Sequence, residues 1–211
     1  MRRGTLLVLA SLIVVLSPSS AQGQALNIDL GGVLGTPSDA YRGASGQTGR
    51  WNTITGTSYT YDLLDTSGVA TPVDITISDG NLGGWVDVCA EADARVFVND
   101  NHWADAYWKM VVLGLTNGDY ELFLYSPSDP GVVTGDMSVN GTPVASISGD
   151  DCGLVEGVGW TRVVVEVQGG SFWMVGNGVG TIGLAGMQLR PIILIDSFES
   201  GDTSAWSSTV Q

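Results

Sequence analysis

The chain has little with which to bind phosphate. Its 211 residues hold eight Lys and Arg together, with Lys109 the only lysine, against 22 Asp and Glu. Nucleic-acid affinity rests on clustered basic side chains, so this balance argues against a nucleic-acid partner and against docking on anionic lipid. Histidine is almost absent as well: His102 is the only one. General acid–base work draws most often on histidine or on a carboxylate pair held in a cleft. The chain also lacks a G-x-S-x-G elbow, an H-E-x-x-H helix and a glycine-rich phosphate loop. Long apolar runs are missing too. The longest, residues 6–16 (LLVLASLIVVL), has 11 residues, against the roughly 20 that a bilayer core requires of a helix.

That short run has a place of its own. Met1-Arg2-Arg3 precedes it and Ser17-Pro18-Ser19-Ser20-Ala21 follows it. A basic start, an apolar core and a small-residue zone form, in that order, a secretory signal peptide. Residues 1–21 are therefore read as a leader for general secretion, cleaved after Ala21 or as late as Ala25, with no transmembrane segment left once it is removed. The leader takes two basic residues and no acidic ones, leaving six against 22, a net charge of −16. Such a charge suits an extracellular or cell-surface protein, with the periplasm as the other possible destination.

Only two cysteines are present, Cys89 and Cys152. In an oxidising compartment a lone pair is read as a disulfide, and closing a loop of this length stabilises a fold by about 4 kcal/mol in the chain-entropy model.

What the chain does have is glycine, 30 of them, interspersed with Val, Thr, Ile and Tyr in short runs. Residues 161–168 (TRVVVEVQ) place Val163, Val165 and Val167 on one side of a strand and Arg162, Val164 and Glu166 on the other. Gly169-Gly170 and Asn140-Gly141 are tight-turn signals. Further strands are expected at 26–30, 58–64, 73–78, 107–115, 119–126, 171–175 and 182–190, with a possible short helix at 89–98. About nine strands with turns every 8–12 residues predict an all-β, antiparallel β-sandwich or jelly roll spanning 26–190. Residues 191–211 then form a polar linker and tail.

Three sets of side chains are candidates for a site. Sugar rings pack their C–H faces on aromatics while polar groups take the hydroxyls. Trp103, with His102 and Asp105 beside it in a polar stretch read as a loop, is the first choice for this, and Trp51-Asn52 after a glycine-rich loop the second. In the pair Tyr107-Trp108, one ring is expected in the core. Hard cations such as calcium take oxygen ligands from Asp, Asn and carbonyl-rich loops, and Asp100, Asn101 and Asp105, or separately Asp150 and Asp151, offer them. Asp150-Asp151 with Glu156 supplies carboxylates for a glycosidase-like pair, but the run reads as a turn.

Residues 43–52 (GASGQTGRWN), 114–126 (GLTNGDYELFLYS), 139–141 (VNG) and 182–189 (IGLAGMQL) resemble the galactose-binding-like, or malectin-like, β-sandwich domains of secreted bacterial proteins. The resemblance spans about 26–190; it implies the sandwich and, as is common in that class, a structural calcium. Residues 198–207 (FESGDTSAWS) resemble a C-terminal ending found on many exported bacterial proteins, which implies a sorting, processing or display tag. Together these features predict a non-catalytic secreted or surface binding domain, with a polysaccharide or cell-envelope glycan as the leading ligand. The alternatives are a structural or adhesive surface component and, less well supported, a hydrolase.

Overall fold

The computed structural model describes residues 23–32, 34–56, 60–84, 92–126, 136–145, 147, 155–178 and 181–193. The leader, both cysteines, Asp150, Asp151 and the tail beyond residue 193 lie outside the described residues. Those described form fourteen strands and one helix; the strands at Trp51–Ile54, Asn81–Gly84 and Asp100–Ala104 fall where none is expected, and the Asn140-Gly141 turn and a break at Ala185 each divide one run in two.

In chain order the strands are β1 (Leu26–Leu30), β2 (Trp51–Ile54), β3 (Thr60–Leu64), β4 (Ala70–Ser78) and β5 (Asn81–Gly84). The helix α1 (Ala92–Asn99) precedes β6 (Asp100–Ala104), β7 (Tyr107–Leu113), β8 (Gly118–Tyr125), β9 (Asp136–Val139) and β10 (Thr142–Val144). The last four are β11 (Trp160–Val167), β12 (Phe172–Asn177), β13 (Ile182–Leu184) and β14 (Gly186–Pro191). One sheet runs β11-β8-β14-β1-β2 and a second β10-β9-β12-β7-β4-β3. All pairs are antiparallel except β1 with β2.

The alternation of apolar residues explains how the sheets face each other. Leu26, Ile28 and Leu30, Leu122 and Leu124, and Val165 and Val167 of the first sheet share one buried core with residues of the second, Ile75, Ile77, Trp108, Met110, Val112, Phe172 and Met174. Trp108 is therefore the core ring of its pair, while Tyr107 is 43% exposed. The two turns form as their residues dictate: Asn140 and Gly141 have φ of 49° and 79°, the left-handed values of a type I′ hairpin.

The outer face of the first sheet is not left to solvent. Tyr41, Trp51, Ala94, Phe97, Val98, Phe123, Tyr125 and Ala185 make a second buried cluster there, in which α1 and the segment around Tyr41 cover the strands. Phe97 sits 4.8 Å from the rings of both Trp51 and Tyr125. It reaches the sheet because residue 186 is glycine, since a Cβ there would stand 2.4 Å from the Phe97 ring. Asp93, in the first turn of α1, accepts hydrogen bonds from the Ser38 amide and hydroxyl, tying the covering segment to the helix.

A third, smaller sheet, β13-β6-β5, stands where the other two are joined. Asp79-Gly80 turns the chain into it from β4, Asp105-Ala106 returns it to β7, and Ala185 carries it from β13 to β14. Ala104, Ile182 and Leu184 of this sheet belong to the main core, so it closes one end of the sandwich.

Candidate functional site

The stretch from Asp100 to Trp103, read as a loop because of its polarity, is strand β6 at the centre of that small sheet. Asp100, Asn101 and His102 are each no more than 1% exposed. Polar residues hold a strand here because pairing with β5 and β13 on its two sides overrides their weak β-propensity.

Alternation divides β6 into two faces with different chemistry. On the core face, His102 lies edge-on to Trp108, with ring centroids 6.0 Å apart and planes at 89°. Its Nε2 is 2.9 Å from the Asp79 carbonyl oxygen; a carbonyl only accepts, so Nε2 carries the proton and the bare nitrogen is Nδ1. Nδ1 is buried without a partner. Burial penalises the imidazolium and lowers the pKa to about 4, against a smaller opposing effect of the Asp79 carbonyl. His102 is 0% exposed, so it does not stand beside Trp103 as a ligand contact.

Asp100, on the same face, meets the end of β1. Its Oδ2 accepts the Leu34 amide at 2.9 Å, and the chain passes so close that a Cβ on Gly31 would stand 2.3 Å from the Asp100 Cβ. Asp29, two residues before Gly31, is 0% exposed. Its Oδ2 accepts from the Thr53 hydroxyl at 3.2 Å, Thr53 in turn sharing a 2.6 Å hydrogen bond with Thr36. Oδ1 of Asp29 has no hydrogen-bond partner. Its pKa is raised well above the usual carboxylate value, first by burial and then by the charge of Asp100, with the Thr53 hydroxyl opposing.

The outer face of β6 carries Asn101 and Trp103. Trp103 pairs across the sheet with Asn81 on β5 and Gly183 on β13, and Asn101 pairs with Gly83. The half-buried indole leans across β5, and a Cβ on Gly83 would meet its Nε1 at 2.8 Å and its Cδ1 at 3.1 Å. The same Cβ would stand 3.7 Å from Asn101 Oδ1, a buried acceptor with no hydrogen-bond partner. Asn81, paired with Trp103 across the sheet, and Asp105, just beyond β6, are exposed. The face thus combines a flat aromatic ring, an orphan amide acceptor and exposed polar side chains on a rigid strand.

The other candidates are placed elsewhere. Trp51 is buried in the second cluster, donating through Nε1 to the Tyr41 carbonyl at 3.4 Å. Asn52 joins three strands: its Nδ2 donates to the Asn27 and Leu64 carbonyls at 3.1 and 2.8 Å, and its Oδ1 accepts the Leu64 amide at 2.8 Å. Asp100, Asn101 and Asp105 do not converge as a calcium cage, because Asp100 and Asn101 point to opposite faces of β6 and Asp105 lies beyond it. Among the described residues no three His, Cys, Asp or Glu side chains gather at one point. The carboxylate beside Asp100 is Asp29, which the sequence presents as an outward-facing strand residue.

No family model matches the chain, and no curated protein does either. Solved structures do. The chain is similar to a plant structure of the peptide RALF23 in complex with FER and LLG2, at 10% identity and a TM-score of 0.50, covering 80% of this chain and 40% of that one. It is similar, at 14% identity and a TM-score of 0.47, to a calcium-binding mutant of Bacteroides uniformis beta-glucuronidase 2, covering 82% of this chain and 18% of that one. A third is the extracellular domain of ANXUR2 from Arabidopsis thaliana, at 10% identity and a TM-score of 0.46, covering 82% and 49%. The chain therefore spans under half the length of each. At these identities the likeness is one of fold: a β-sandwich. Among the described residues no helix is long and apolar enough to cross a membrane.

Proposed function

We propose that the chain is a non-catalytic binding module exported to the cell exterior, and that it holds a glycan on the outer face of the three-stranded sheet. The observation that carries this reading is Trp103, half-buried on the outer side of β6 and lying against Gly83. A pyranose C–H face stacks on an indole. Asn81 and Asp105 supply hydrogen bonds at the rim. The strong negative charge favours a neutral polysaccharide over an acidic one, since like charges repel at long range. Catalysis is not part of this reading: His102, the one histidine, is sealed in the core.

The test is retention of the purified chain on a panel of insoluble polysaccharides and a glycan array. Trp103→Ala is expected to weaken retention about tenfold, the loss of one stacking contact, while the melting temperature moves by no more than a few degrees. Retention unchanged in Trp103→Ala but lost in Trp173→Ala would move the site to the solvent face of the six-stranded sheet, where Trp173 is 37% exposed. No retention on any polymer would favour a structural or adhesive component.

Gly83→Ala makes the same point without removing the ring. The added methyl meets the pyrrole edge of the indole, a rigid ring that has to shift, so folding is expected to lose about 1–3 kcal/mol. Tryptophan emission should shift and retention should fall. An alanine variant with wild-type retention would show that the ring's position against β5 is irrelevant to binding.

A further inference from the structure

We propose that the free edge of β11 joins the same edge of a second copy, antiparallel and centred on Val164, so that two sandwiches share one continuous sheet. This goes beyond the glycan reading and stands or falls independently of it. β11 ends the first sheet: it pairs with β8 on one side, and among the described residues no strand pairs with its other side. That edge is open along its length. Val163, Val164, Val165 and Glu166, successive residues that point to both faces, line a groove of about 450 Å³ whose far wall includes Asn140, Thr142 and Trp173. The Glu166 carbonyl points into this gap, where Asn140 Nδ2 donates to it at a long 3.4 Å. Backbone direction alternates along a strand, so Arg162 and Val164 turn their amides and carbonyls the same way. An open edge of this kind is a template for another strand.

The side chains select a second copy as that strand. Arg162, Val164 and Glu166 are all exposed on the outer face of the sheet, Val164 by 58%. About a two-fold axis at Val164, Arg162 of each copy faces Glu166 of the other, and the two valines face each other. Each of these facing pairs exchanges two backbone hydrogen bonds, and opposite charges directly across a ladder add to them. The first sheet already prepares this order. Arg190 and Arg162 flank Glu121, with Arg162 Nη1 3.1 Å from its Oε1. Signs therefore alternate across the strands, and the row ends on a positive charge at the open edge. Glu166 of the second copy supplies the next negative one. Within one chain the Glu166 carboxylate accepts from Gln168 Nε2 at 2.7 Å and, among the described residues, has no basic partner. An unrelated peptide would have to match this spacing of charges, whereas a second copy matches it by symmetry. The strong negative charge of the chain opposes association at long range, so the contact is a weak one that depends on concentration.

The experiment is sedimentation equilibrium of the purified chain over a wide concentration range at physiological ionic strength. The wild type is expected to pass from monomer to dimer mass as concentration rises. Val164→Lys sets two ammonium groups against each other at the axis, and Glu166→Arg sets arginine against arginine. Each should weaken self-association by about tenfold or more, while the melting temperature of the dilute monomer stays within a few degrees of wild type. Arg162→Glu should do the same with an acidic edge. Mixed in equal amounts, Glu166→Arg and Arg162→Glu are expected to associate with each other, because every facing pair of charges is again opposite. A wild type that stays monomeric throughout would overturn the proposal and leave the edge to an extended segment of a different protein. A dimer undiminished in Val164→Lys and Glu166→Arg would equally overturn it, placing the contact on another face. So would charge variants that are monomeric alone and fail to associate when mixed, since Arg162 would then not face Glu166.

Discussion

Gln188→Met is expected to cost the folded state about 3–5 kcal/mol, although methionine nearly matches glutamine in volume. Gln188 lies at 0% exposure in β14 and is the hub that holds the covering layer on the first sheet. Its Nε2 donates to Asn27 Oδ1 at 2.8 Å and to the carbonyls of Arg42 and Gln47 at 3.2 and 3.4 Å. Its Oε1 accepts from the Tyr125 hydroxyl, whose oxygen in turn accepts the Ala44 amide at 2.8 Å. The thioether would leave the hydroxyl without an acceptor and the loop carbonyls without a donor. Each buried group so stranded costs about 1–3 kcal/mol, whereas the change in packing alone is worth under about 1.5. Tyr125→Phe removes only one member and should cost about a third as much. Urea unfolding of the three proteins at pH 7 decides the matter. A loss below about 1 kcal/mol for Gln188→Met would mean that water enters beneath the covering segment and substitutes for the amide.

This network also shows where reading the sequence reaches its limit. The strand at residues 161–168 was legible because apolar and polar residues alternate over its whole length. The hairpins were legible because Asn140-Gly141 and Gly169-Gly170 adopt positive φ at little cost. In β1 the same alternation, Leu-Asn-Ile-Asp-Leu, suggests one wet face. Yet Asn27 and Asp29 are buried, because α1 and the segment around Tyr41 fold over them from sixty and fifteen residues away, roughly, and no local pattern encodes that return. Trp51 fails as an exposed platform for the same reason: the layer that looks like a glycine-rich loop is its roof. β6 was missed for a different cause. Its Asp, Asn and His read as solvent-loving, but Asp100 accepts from the Leu34 amide and His102 donates to the Asp79 carbonyl, both distant in sequence. The Asp79-Gly80 dipeptide, with φ of 62° and 95°, was the available local sign that a strand follows at β5 and needs a neighbour. Trp103 falls on the outer side of its strand, where the neighbouring strand β5 offers glycine.

Acid should weaken this protein through His102, by as much as about 3 kcal/mol. The imidazole titrates near 6.5 in the unfolded chain and at about 4 in the folded one, so the folded state refuses a proton that the unfolded state accepts. Stability is then fully present above pH 6.5 and is lost as pH falls towards 4, at roughly 1.4 kcal/mol per pH unit. Below that both states are protonated and the loss stops. Asp29 works in the opposite sense. Its folded pKa is raised by burial and by Asp100, so its ionisation destabilises the fold at neutral pH and the penalty is relieved as pH falls. The two effects are separated by His102→Gln, which can still donate to the Asp79 carbonyl but has no proton to gain. In EDTA, which keeps cations out of the comparison, the stability of His102→Gln relative to wild type should improve by about 2–3 kcal/mol between pH 7 and pH 4.5. Because the chain has one histidine, its imidazole C–H resonance reports directly: no titration above pH 5 is expected in the folded protein. A midpoint near 6.5 would show that water reaches Nδ1, and that the core face of β6 is open where the sandwich closes on it.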